Sequence, residues 1–400
     1  MNARHGLPVV RLKPGREQSM KNRHPWIFSG ALQAVPDGLE PGSTVAVLSA
    51  SGQALGSGAV SPASQIAVRL WSFEPEQEID VGFFRERLAQ ALDARQERVN
   101  GLEAPACRLV NAESDRLPGL VVDRYGDFLV CQFLSCGAEY WKNTIAEALN
   151  ELAQPCGIYE RSDVEVRQKE GLKPRAGVLL GAPPPDVIEV RMRDLRLLVN
   201  VTSGHKTGSY LDQADNLPIA ASHARGREVL NCFAYTGAFG LAALAGGAGH
   251  VLNLDSSGPA LELARRSVEV NGFSQEAAEM LEGDAFTELR RFRDSRRDFD
   301  LIVLDPPKFA ANAAQVQRAA RAYKDINLLA LKLLRPGGTL MTFSCSGHVS
   351  AELFQKIVAD AAVDADRHVQ ITAFLSQSAD HPVSTNFPQG RYLKGLVCRV

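Results

Sequence analysis

The sequence predicts an α/β protein whose C-terminal half is built on a parallel sheet, preceded by a β-rich N-terminal segment and a central α+β segment. From about Val187 onward, apolar strand-like runs alternate with helical patterns, which implies parallel strands joined by helices. The first segment, of about 70 residues, instead shows short apolar runs separated by Gly and Pro. Because 400 residues exceed one ordinary hydrophobic core, we expect three domains, at residues 1–74, 75–186 and 187–400.

Strands dominate the N-terminal segment, and a small barrel or curled sheet is the expected result. The predicted strands are Val9–Leu12, Trp26–Phe28, Thr44–Leu48 and Ile66–Trp71, with a turn at Ser51-Gly52. A charged stretch, Glu74–Asp80, ends this segment and leads into a helical pattern over residues 83–98.

The central segment mixes strands with a helix. Its predicted strands are Cys107–Val110, Leu120–Asp123, Phe128–Phe133, Gly157–Tyr159 and Val178–Leu180. Tyr140–Leu152 is the predicted helix. The run Pro183–Pro185 marks a rigid connector before the next domain.

The C-terminal segment follows the strand–helix alternation almost to its end. The predicted strands are Val229–Phe233, His250–Leu254, Glu279–Leu281, Phe299–Leu304 and Thr339–Phe343. The predicted helices are Ala238–Ala245, Pro259–Asn271, Leu328–Leu334 and Leu353–Ala362. Two strands, Gln370–Phe374 and Leu393–Val400, close the chain without a helix between them, which predicts an antiparallel final pair.

Composition favours a globular protein of a reducing compartment. The seven cysteines are odd in number and form no C-x-x-C pair, so they suit the cytoplasm better than a disulfide framework, and no metal is expected. Cys131 and Cys136 flank an apolar stretch and are expected to be buried thiols. Residues Met1–Gly6 carry no apolar signal region, and no apolar run approaches the length of a membrane helix, so neither export nor membrane insertion is expected.

The basic residues are unevenly distributed, although the net charge of −2 gives no overall sign of nucleic-acid binding. Between Arg4 and Arg23, six Lys and Arg residues are opposed only by Glu17. A local basic face of this kind is able to bind phosphates when the whole molecule is near neutral. On charge alone, a solvated surface is the simpler interpretation.

Three features at successive strand ends predict a cofactor site. Small residues within Asn231–Gly240 let backbone approach a ligand at a helix N-terminus. Asp255 ends the next strand, where an acid meets ribose hydroxyls, and Asp284 ends the third, where a side chain meets an adenine edge. The G-x-G-x-x-G spacing of NAD sites is absent, so S-adenosylmethionine is the favoured ligand. The expected cofactor-binding residues are Asn231, Phe233, Tyr235, Gly237, Asp255, Asp284 and Asp305.

Asp305 and Cys345 follow two apolar strands, and the carboxyl ends of parallel strands meet at one sheet edge. Asp305-Pro306-Pro307 is similar to the sequence with which methyltransferases of exocyclic amines hold a base, but Lys308 occupies the fourth position and Phe309 comes one place late. A thiolate at Cys345 offers another route, since addition to C6 of a pyrimidine makes C5 nucleophilic while Asp305 holds the N3/N4 edge. Considered alone, Cys345 is best explained as a small buried residue at a strand end. Its predicted position beside Asp305 and the cofactor site favours a role as the nucleophile.

Seven stretches together are specific for one family. They are Lys21–Gly30, Gly208–Gln213, Asn231–Gly240, Asp305–Phe309, Tyr323–Asn327, Ser344–Gly347 and Tyr392–Gly395. Through them the chain resembles, along essentially its whole length, the large-subunit ribosomal RNA cytosine-C5 methyltransferase I family. The resemblance implies an N-terminal PUA domain, which is a small RNA-binding pseudo-barrel, a central α+β domain and a C-terminal class I (Rossmann-like) methyltransferase domain.

The resemblance also implies an activity, which is S-adenosylmethionine-dependent methylation of C5 of one cytosine in large-subunit (23S) rRNA with Cys345 as the nucleophile. It makes the basic segment an expected RNA contact, through Arg11, Lys13, Arg16, Lys21 and Arg23. The residues expected near the substrate base are Lys206, Tyr210, Asp212, Gln213, Lys308, Phe309 and His381. The sequence is compatible with a homodimer.

Alternatives stay open on the residues alone. RNA uracil-C5 methyltransferases also combine Asp-Pro-Pro with one later Cys, so uracil is the closest rival substrate and the family likeness alone favours cytosine. No second Cys follows Pro307, so another base must remove the C5 proton, and the candidates are Asp305, Lys308 and His381. The other classes are a non-catalytic RNA-binding assembly factor with a retained methyltransferase fold, and a small-molecule methyltransferase in which the basic segment would have no purpose.

Overall fold

The computed structural model describes residues 6–310 and 312–400, and Arg4 of the basic segment lies outside them. The chain forms two compact units. The first comprises the chain up to Ile188 together with Asn200–Gly208 and Asp380–Gly390. The second comprises Glu189–Val199, Ser209–Ala379 and Arg391–Val400. Each unit therefore combines segments from distant parts of the sequence.

The first unit contains two sheets, each of five strands within the described residues. Its strands are β1 (Val9–Arg11), β2 (Trp26–Phe28), β3 (Thr44–Leu48), β4 (Ala54–Val60), β5 (Ile66–Ser72), β6 (Ala106–Asn111), β7 (Leu120–Tyr125), β8 (Phe128–Phe133), β9 (Gly157–Ser162) and β10 (Arg175–Gly181). Its helices are α1 (Gln18–Lys21), α2 (Val81–Asp93), α3 (Gln96–Val99), α4 (Cys136–Tyr140) and α5 (Lys142–Ala153). The sheet orders are β1-β3-β4-β5-β2 and β10-β9-β8-β7-β6.

Strand β4 has no counterpart among the predicted strands, because its Gly-rich sequence is typical of a loop. A Cβ atom at Gly56 would lie 2.3 Å from the carbonyl oxygen of Ser72, and one at Gly58 would lie 2.5 Å from that of Arg69. The two glycines therefore allow β4 to approach β5 closely.

The helix predicted over residues 83–98 is interrupted, and the structure has α2 and α3 in its place. Arg95, between the two helices, is 3% exposed. Its guanidinium donates two hydrogen bonds to the carboxylate of Asp115, at 2.8 and 2.7 Å. The break between α2 and α3 places this cation beside its acidic partner, and a buried charge requires such a partner.

Helix α4 joins the two sheets of the first unit into one structure. A Cβ atom at Gly137 would lie 2.4 Å from Cβ of Ala59 and 2.8 Å from the ring of Trp71. Ala59 and Trp71 belong to the same hydrophobic cluster as apolar residues of the second sheet, such as Leu120 and Phe133. The two sheets thus share a core, and the boundary between residues 74 and 75 stays a prediction.

The two segments that return to the first unit are held by polar side chains. Arg161 donates hydrogen bonds to the carbonyl oxygens of Val201, at 2.7 Å, and Gly204, at 2.9 Å. In the other segment, the carboxylate of Asp380 accepts a 2.9 Å hydrogen bond from the backbone N–H of Arg108. Bonds between side chains and main-chain groups therefore fix both segments.

The second unit contains a two-stranded and a seven-stranded sheet within the described residues. Its strands are β11 (Ile188–Met192), β12 (Leu195–Val199), β13 (Glu228–Cys232), β14 (His250–Asp255), β15 (Ala278–Glu282), β16 (Phe299–Leu304), β17 (Leu334–Ser344), β18 (Gln370–Leu375) and β19 (Lys394–Arg399). Its helices are α6 (Leu217–Ser222), α7 (Ala238–Ala245), α8 (Gly258–Val270), α9 (Ala285–Asp294), α10 (Val316–Leu333) and α11 (Ala351–Asp364). No helix in the described part of the chain combines the length and the apolar character needed to cross a membrane.

The large sheet has the order β15-β14-β13-β16-β17-β19-β18. Its first five strands are parallel, and β19 is antiparallel to both of its neighbours. This confirms the α/β fold class and the predicted antiparallel final pair. The strand order reverses at β13, and ligands of open α/β sheets bind outside the carboxyl ends of the strands at such a point.

Candidate active site

Asp305 and Cys345 follow neighbouring strands of the large sheet. Strands β16 and β17 are parallel, with Leu304 opposite Thr342, so the chain leaves both strands at the same edge. Sγ of Cys345 lies 4.0 Å from the carbonyl oxygen of Pro306. Asp305 and Cys345 are both half-buried. The structure thus places the thiol against the segment that begins with Asp305.

Cys345 differs from most of the other cysteines in its exposure. All seven lie within the described residues, and five of them are buried, including Cys131 and Cys136 as the sequence predicts. Burial raises the pKa of Cys107 and of Cys398 to about 12, so these thiols stay protonated near neutral pH. Cys345 is half-buried and Cys156 is exposed. The cysteine at the sheet edge is therefore partly exposed.

The residues on both sides of Cys345 are fixed by buried hydroxyl groups. The Tyr323 hydroxyl accepts a hydrogen bond from Ser344 Oγ at 3.0 Å and lies 3.1 Å from Ser346 Oγ. Ser346 Oγ also accepts a hydrogen bond from the backbone N–H of Ala310 at 3.2 Å. The turn that carries the thiol is therefore tied to α10 and to the loop after β16.

Lys394 is a candidate functional residue that lies in one of the stretches specific for the family, but the sequence alone assigned it no role. It begins β19 and lies opposite Ser344 of β17. It is 8% exposed, and its Nζ donates hydrogen bonds to the carbonyl oxygens of Ser346 and Tyr392, both at 2.7 Å. Burial lowers the pKa of Lys394 to about 8, and the nearby Cys345 acts in the opposite direction. Only the pairing of β17 with β19 brings this cation to the thiol.

Tyr210 lies in the same neighbourhood. Its ring packs edge-on against that of Tyr235, with the centroids 5.3 Å apart. Burial raises the pKa of Tyr210, and the nearby Asp305 raises it further, with smaller contributions from Asp212 and Cys345. The Tyr210 hydroxyl is therefore protonated at neutral pH, and Tyr210 lies near both predicted catalytic residues.

Asp212 and Gln213 are buried beneath this region. Asp212 accepts a 2.7 Å hydrogen bond from the hydroxyl of Tyr392. The side-chain oxygen of Gln213 accepts a 2.6 Å hydrogen bond from Asn216. These contacts are the ordinary hydrogen bonds that a buried polar loop needs, and the role of both residues at the base stays a prediction.

Lys308 and Phe309 differ in exposure although they are adjacent in the chain. Lys308 is exposed. The ring of Phe309 packs between those of Tyr323, with the centroids 4.7 Å apart, and Phe286, at 6.1 Å. Phe309 thus contributes to packing around Tyr323, while Lys308 is available to solvent.

Lys206 and His381 belong to the first unit. Lys206 is exposed. His381 is 2% exposed, and its Nδ1 lies 2.9 Å from a carboxylate oxygen of Asp380. Asp305 and Cys345 belong to the second unit, and a role of Lys206 and His381 at the base stays a prediction.

The turn after β13 has an unusual backbone. Phe233 and Tyr235 have positive φ angles of 59° and 49°, and Gly237, at the start of α7, has a φ of 77°. A Cβ atom at Gly237 would lie 2.8 Å from Cβ of Ala264, so only glycine fits there. Left-handed conformations of bulky residues persist only where their surroundings hold them, and they cluster at ligand sites.

Two of the acidic residues predicted to bind the cofactor accept hydrogen bonds from nearby backbone N–H groups. Asp255 accepts hydrogen bonds from the backbone N–H of Tyr235, at 2.8 Å, and of Ser257, at 2.9 Å. Asp284 is exposed and caps α9 by accepting from the backbone N–H of Thr287 at 2.9 Å. Each carboxylate oxygen has two lone pairs, so these contacts leave further acceptor capacity.

Asn231 lies deeper than the other predicted cofactor residues. It is buried within β13, and its side-chain nitrogen donates a 2.9 Å hydrogen bond to Oδ1 of Asn253 on β14. A Cβ atom at Gly240 would lie 2.2 Å from the same oxygen. This pair therefore positions β13, β14 and α7 beneath the turn.

The residues at the edge fit S-adenosylmethionine. Asp255, Asp284 and Asp305 follow β14, β15 and β16. Carboxylates suit this ligand because it carries a sulfonium and an ammonium group, and because its ribose hydroxyls and adenine amine are donors. The glycine at the start of α7 gives the backbone the close approach that such a ligand needs.

The predicted RNA-contact residues lie on the first unit. Arg11 is half-buried, and Lys13, Arg16, Lys21 and Arg23 are exposed. Lys21 and Arg23 line a cavity of about 360 Å³ together with polar residues of the β3–β4 turn. Arg23 also lines a second cavity of about 320 Å³, and Phe73 is common to both. Two cavities with cationic walls therefore meet at Arg23.

A doubly wound sheet of this order, with a left-handed turn after its first strand and acids after the next strands, defines a class I S-adenosylmethionine-dependent methyltransferase. In agreement, residues 163–370 match the S-adenosylmethionine-dependent methyltransferase family model, and residues 10–73 match that of a PUA-like domain. The chain is therefore a member of this class, and S-adenosylmethionine is its cofactor.

Solved structures share the fold over nearly the whole chain. A Streptococcus mutans protein assigned to the SAM-dependent methyltransferases has a TM-score of 0.84 at 21% identity, with 98% of this chain and 100% of that one covered. Another protein assigned as a methyltransferase, solved in complex with SAH, has a TM-score of 0.85 at 21% identity and the same coverage. At this identity the likeness establishes the fold.

Curated relatives identify the family. The chain is 50% identical over 392 residues to ribosomal RNA large subunit methyltransferase I of Shewanella denitrificans, with 98% of this chain and 99% of the relative covered. It is 51% identical over 392 residues to the protein of the same name from Tolumonas auensis, with the same coverage. The chain belongs to the ribosomal RNA large subunit methyltransferase I family.

Proposed function

We propose that this protein methylates C5 of one cytosine in large-subunit (23S) rRNA through a covalent bond between Cys345 and C6 of the base. The observation that carries the proposal is the position of the thiol. Cys345 is half-buried at the end of β17, and its Sγ lies 4.0 Å from the carbonyl oxygen of Pro306, the residue directly after Asp305. The name of the relatives supports rRNA as the substrate, and a cytoplasmic site of action follows from that substrate.

The chemistry needs a nucleophile and an acid–base partner at the base. The Cys345 thiolate forms a bond to C6, the electron pair of the C5–C6 double bond makes C5 nucleophilic, and Asp305 holds the N3/N4 edge. Bound S-adenosylmethionine would supply the methyl group to C5, with cleavage of its sulfonium S–CH3 bond and release of S-adenosylhomocysteine. A base then removes the C5 proton, the double bond re-forms, and the Sγ–C6 bond breaks to release the thiolate. Asp305 and Lys308 are the favoured bases, since both belong to the segment that the thiol contacts.

The target base must leave its stack, because duplex geometry hides C6 from a thiol. Tyr210 is the favoured aromatic partner for the extruded base, since it lies near both Asp305 and Cys345 and is half-buried. Phe309 is less suited to stacking because its ring already packs against Tyr323. On the first unit, Lys21 and Arg23 would bind RNA phosphates.

A covalent trap tests the proposal. Large-subunit rRNA fragments that contain 5-fluorocytosine are incubated with the protein and S-adenosylmethionine and are then separated on a denaturing gel. Fluorine at C5 does not leave as a proton does, so the Sγ–C6 bond persists once C5 is methylated. We expect an adduct with the wild type and with Cys156→Ala, which removes the exposed thiol, and none with Cys345→Ala.

The same experiment separates the alternatives. An adduct on 5-fluorouracil RNA in place of 5-fluorocytosine RNA would make uracil the substrate. Methylation of ordinary rRNA without any adduct on the fluorinated RNA would mean that Cys345 is structural. RNA binding by the wild type without methylation of any tested rRNA would favour an assembly factor.

A further inference from the structure

Lys394 is a buried cation beside the reactive turn. Two of its three N–H donors bind the carbonyl oxygens of Ser346 and Tyr392, both at 2.7 Å. One of these oxygens belongs to the residue after Cys345, and Lys394 itself lies opposite the residue before it. A single side chain therefore connects β19 to both ends of the Ser344-Cys345-Ser346 turn.

Most of the surroundings of Lys394 disfavour its positive charge. Burial disfavours the charged form, and the nearby cations Arg391 and Lys308 disfavour it further. Cys345 is the group that acts in favour of the charge. An uncharged donor would serve the two carbonyl oxygens without the desolvation penalty of a buried charge, so the charge of Lys394 calls for a functional reason.

The groups that surround Cys345 come from four parts of the second unit. Asp305 and Lys308 follow β16, Tyr323 lies on α10, Tyr210 precedes α6, and Lys394 begins β19. Asp305 carries the same charge as a thiolate, and both tyrosines are protonated at neutral pH because burial raises the pKa of each. Lys308 is exposed to solvent, which screens its charge. Lys394 is the buried cation of this group.

We propose that Lys394 is a positioning residue for the nucleophile, which holds the Ser344-Cys345-Ser346 turn through two carbonyl contacts and stabilises the Cys345 thiolate through its ammonium charge. The inference rests on the proposed function, in which the thiolate is the attacking species. Arg at this position would keep the charge, Gln would keep a carbonyl contact without the charge, and Met would keep neither.

The test measures the thiol itself, without RNA. Alkylation of Cys345 by iodoacetamide is followed against pH by mass spectrometry of the peptide that contains it, in the wild type and in Lys394→Met, Lys394→Gln and Lys394→Arg. Lys332→Met, which removes an exposed lysine in the last turn of α10, is the matched control. We expect the alkylation midpoint to rise by about one pH unit in the Met and Gln variants, which is about a tenfold loss of thiolate near neutral pH. The Arg variant and the control should stay close to the wild type.

Unchanged midpoints in both charge-free variants would overturn the inference. If Lys394→Met does not fold, as judged by circular dichroism, Lys394→Gln decides. A shifted midpoint supports the role of Lys394 whether or not the fluorinated RNA forms an adduct, because alkylation requires neither RNA nor methyl transfer. Failure of this inference is therefore distinguishable from failure of the proposed function, which the adduct tests.

Discussion

The backbone N–H of Tyr235 donates a 2.8 Å hydrogen bond to Oδ2 of Asp255. This bond joins the end of β14 to the turn after β13, where Tyr235 is held at a φ of 49°. The second oxygen of Asp255 accepts from the backbone N–H of Ser257 at 2.9 Å. One carboxylate thus fixes the shape of the turn and keeps acceptor capacity for a ribose hydroxyl, so we expect its loss to affect cofactor binding in two ways.

Asp255→Asn should weaken SAH binding about tenfold. The substitution removes the charge of the carboxylate, and a hydrogen bond to a charged group contributes about 1.5 kcal/mol to the binding free energy. Asp255→Ala should weaken binding further, since it also frees the turn. Isothermal titration calorimetry with SAH measures both. Glu262→Gln is the control, because Glu262 lies on the surface of α8 and pairs with Arg265 at 2.7 Å. Equal affinities in all of these proteins would contradict the role of Asp255.

Tyr323→Phe should lower stability and catalysis without changing the affinity for SAH. The substitution removes the hydroxyl that Ser344 and Ser346 both contact, and the loss of a buried hydrogen-bond partner costs about 1–3 kcal/mol. The turn that carries Cys345 then loses its link to α10, so adduct formation should slow several-fold. Urea unfolding followed by circular dichroism and the rate of adduct formation are the measurements. Tyr140→Phe, at a tyrosine that is 46% exposed, should leave both unchanged.

Part of the fold follows directly from local sequence. The predicted bounds of β3, β8 and α7 equal those in the structure, because each is an apolar run between clear turn signals. Strand β4 was not predicted because glycines such as Gly56 and Gly58 are typical of loops. Here they allow close contact with β5, and a contact with another strand cannot be recognised from the local sequence. Helix α9 has no predicted counterpart either, because its sequence is rich in charged residues and only Ala285, Leu289 and Phe292 are buried.

The candidate site also has a part that could be predicted from the sequence and a part that could not. The approach of Asp305 and Cys345 could be predicted because parallel strands place their carboxyl ends at one edge, whatever the sequence separation. The position of Lys394 could not, because it depends on the antiparallel register between β17 and β19. The hydrogen bond from Tyr392 to Asp212 depends on the same return of the chain. Long-range register is a property of the packed sheet and has no signature in a single segment.

Acid should destabilise the first unit through Asp380. Burial raises the pKa of Asp380, but the hydrogen bond and charge of His381 and the N–H of Arg108 outweigh it and hold the pKa below its ordinary value. A carboxyl group with a lowered pKa stabilises the folded state above about pH 4, and the contribution is lost as the pH falls through the native pKa. Asp380→Asn should therefore cost about 1–3 kcal/mol at pH 6, and the difference from the wild type should shrink below about pH 4.

Urea unfolding at several pH values measures this difference, with tryptophan fluorescence as the probe. The three tryptophans, Trp26, Trp71 and Trp141, all lie in the first unit, so the signal reports that unit. Asp37→Asn, at an exposed aspartate of the same unit, is the control. A difference that stays constant down to pH 3 would show that another group carries the acid sensitivity.

Lys21 and Arg23 should contribute phosphate contacts rather than base recognition. Both are exposed and line a cavity of about 360 Å³ on the first unit, and a cation that neutralises a phosphate releases condensed counterions. Lys21→Ala/Arg23→Ala should therefore weaken binding of rRNA fragments of any sequence and reduce the slope of log Kd against log salt by about 1.5. Fluorescence anisotropy between low and moderate salt measures the slope. The control is Arg85→Ala, which removes an exposed arginine that pairs with Glu151 at 3.1 Å and should leave the slope unchanged. An equal loss of RNA affinity in both variants would mean that net charge causes the effect and that the cavity does not contact RNA.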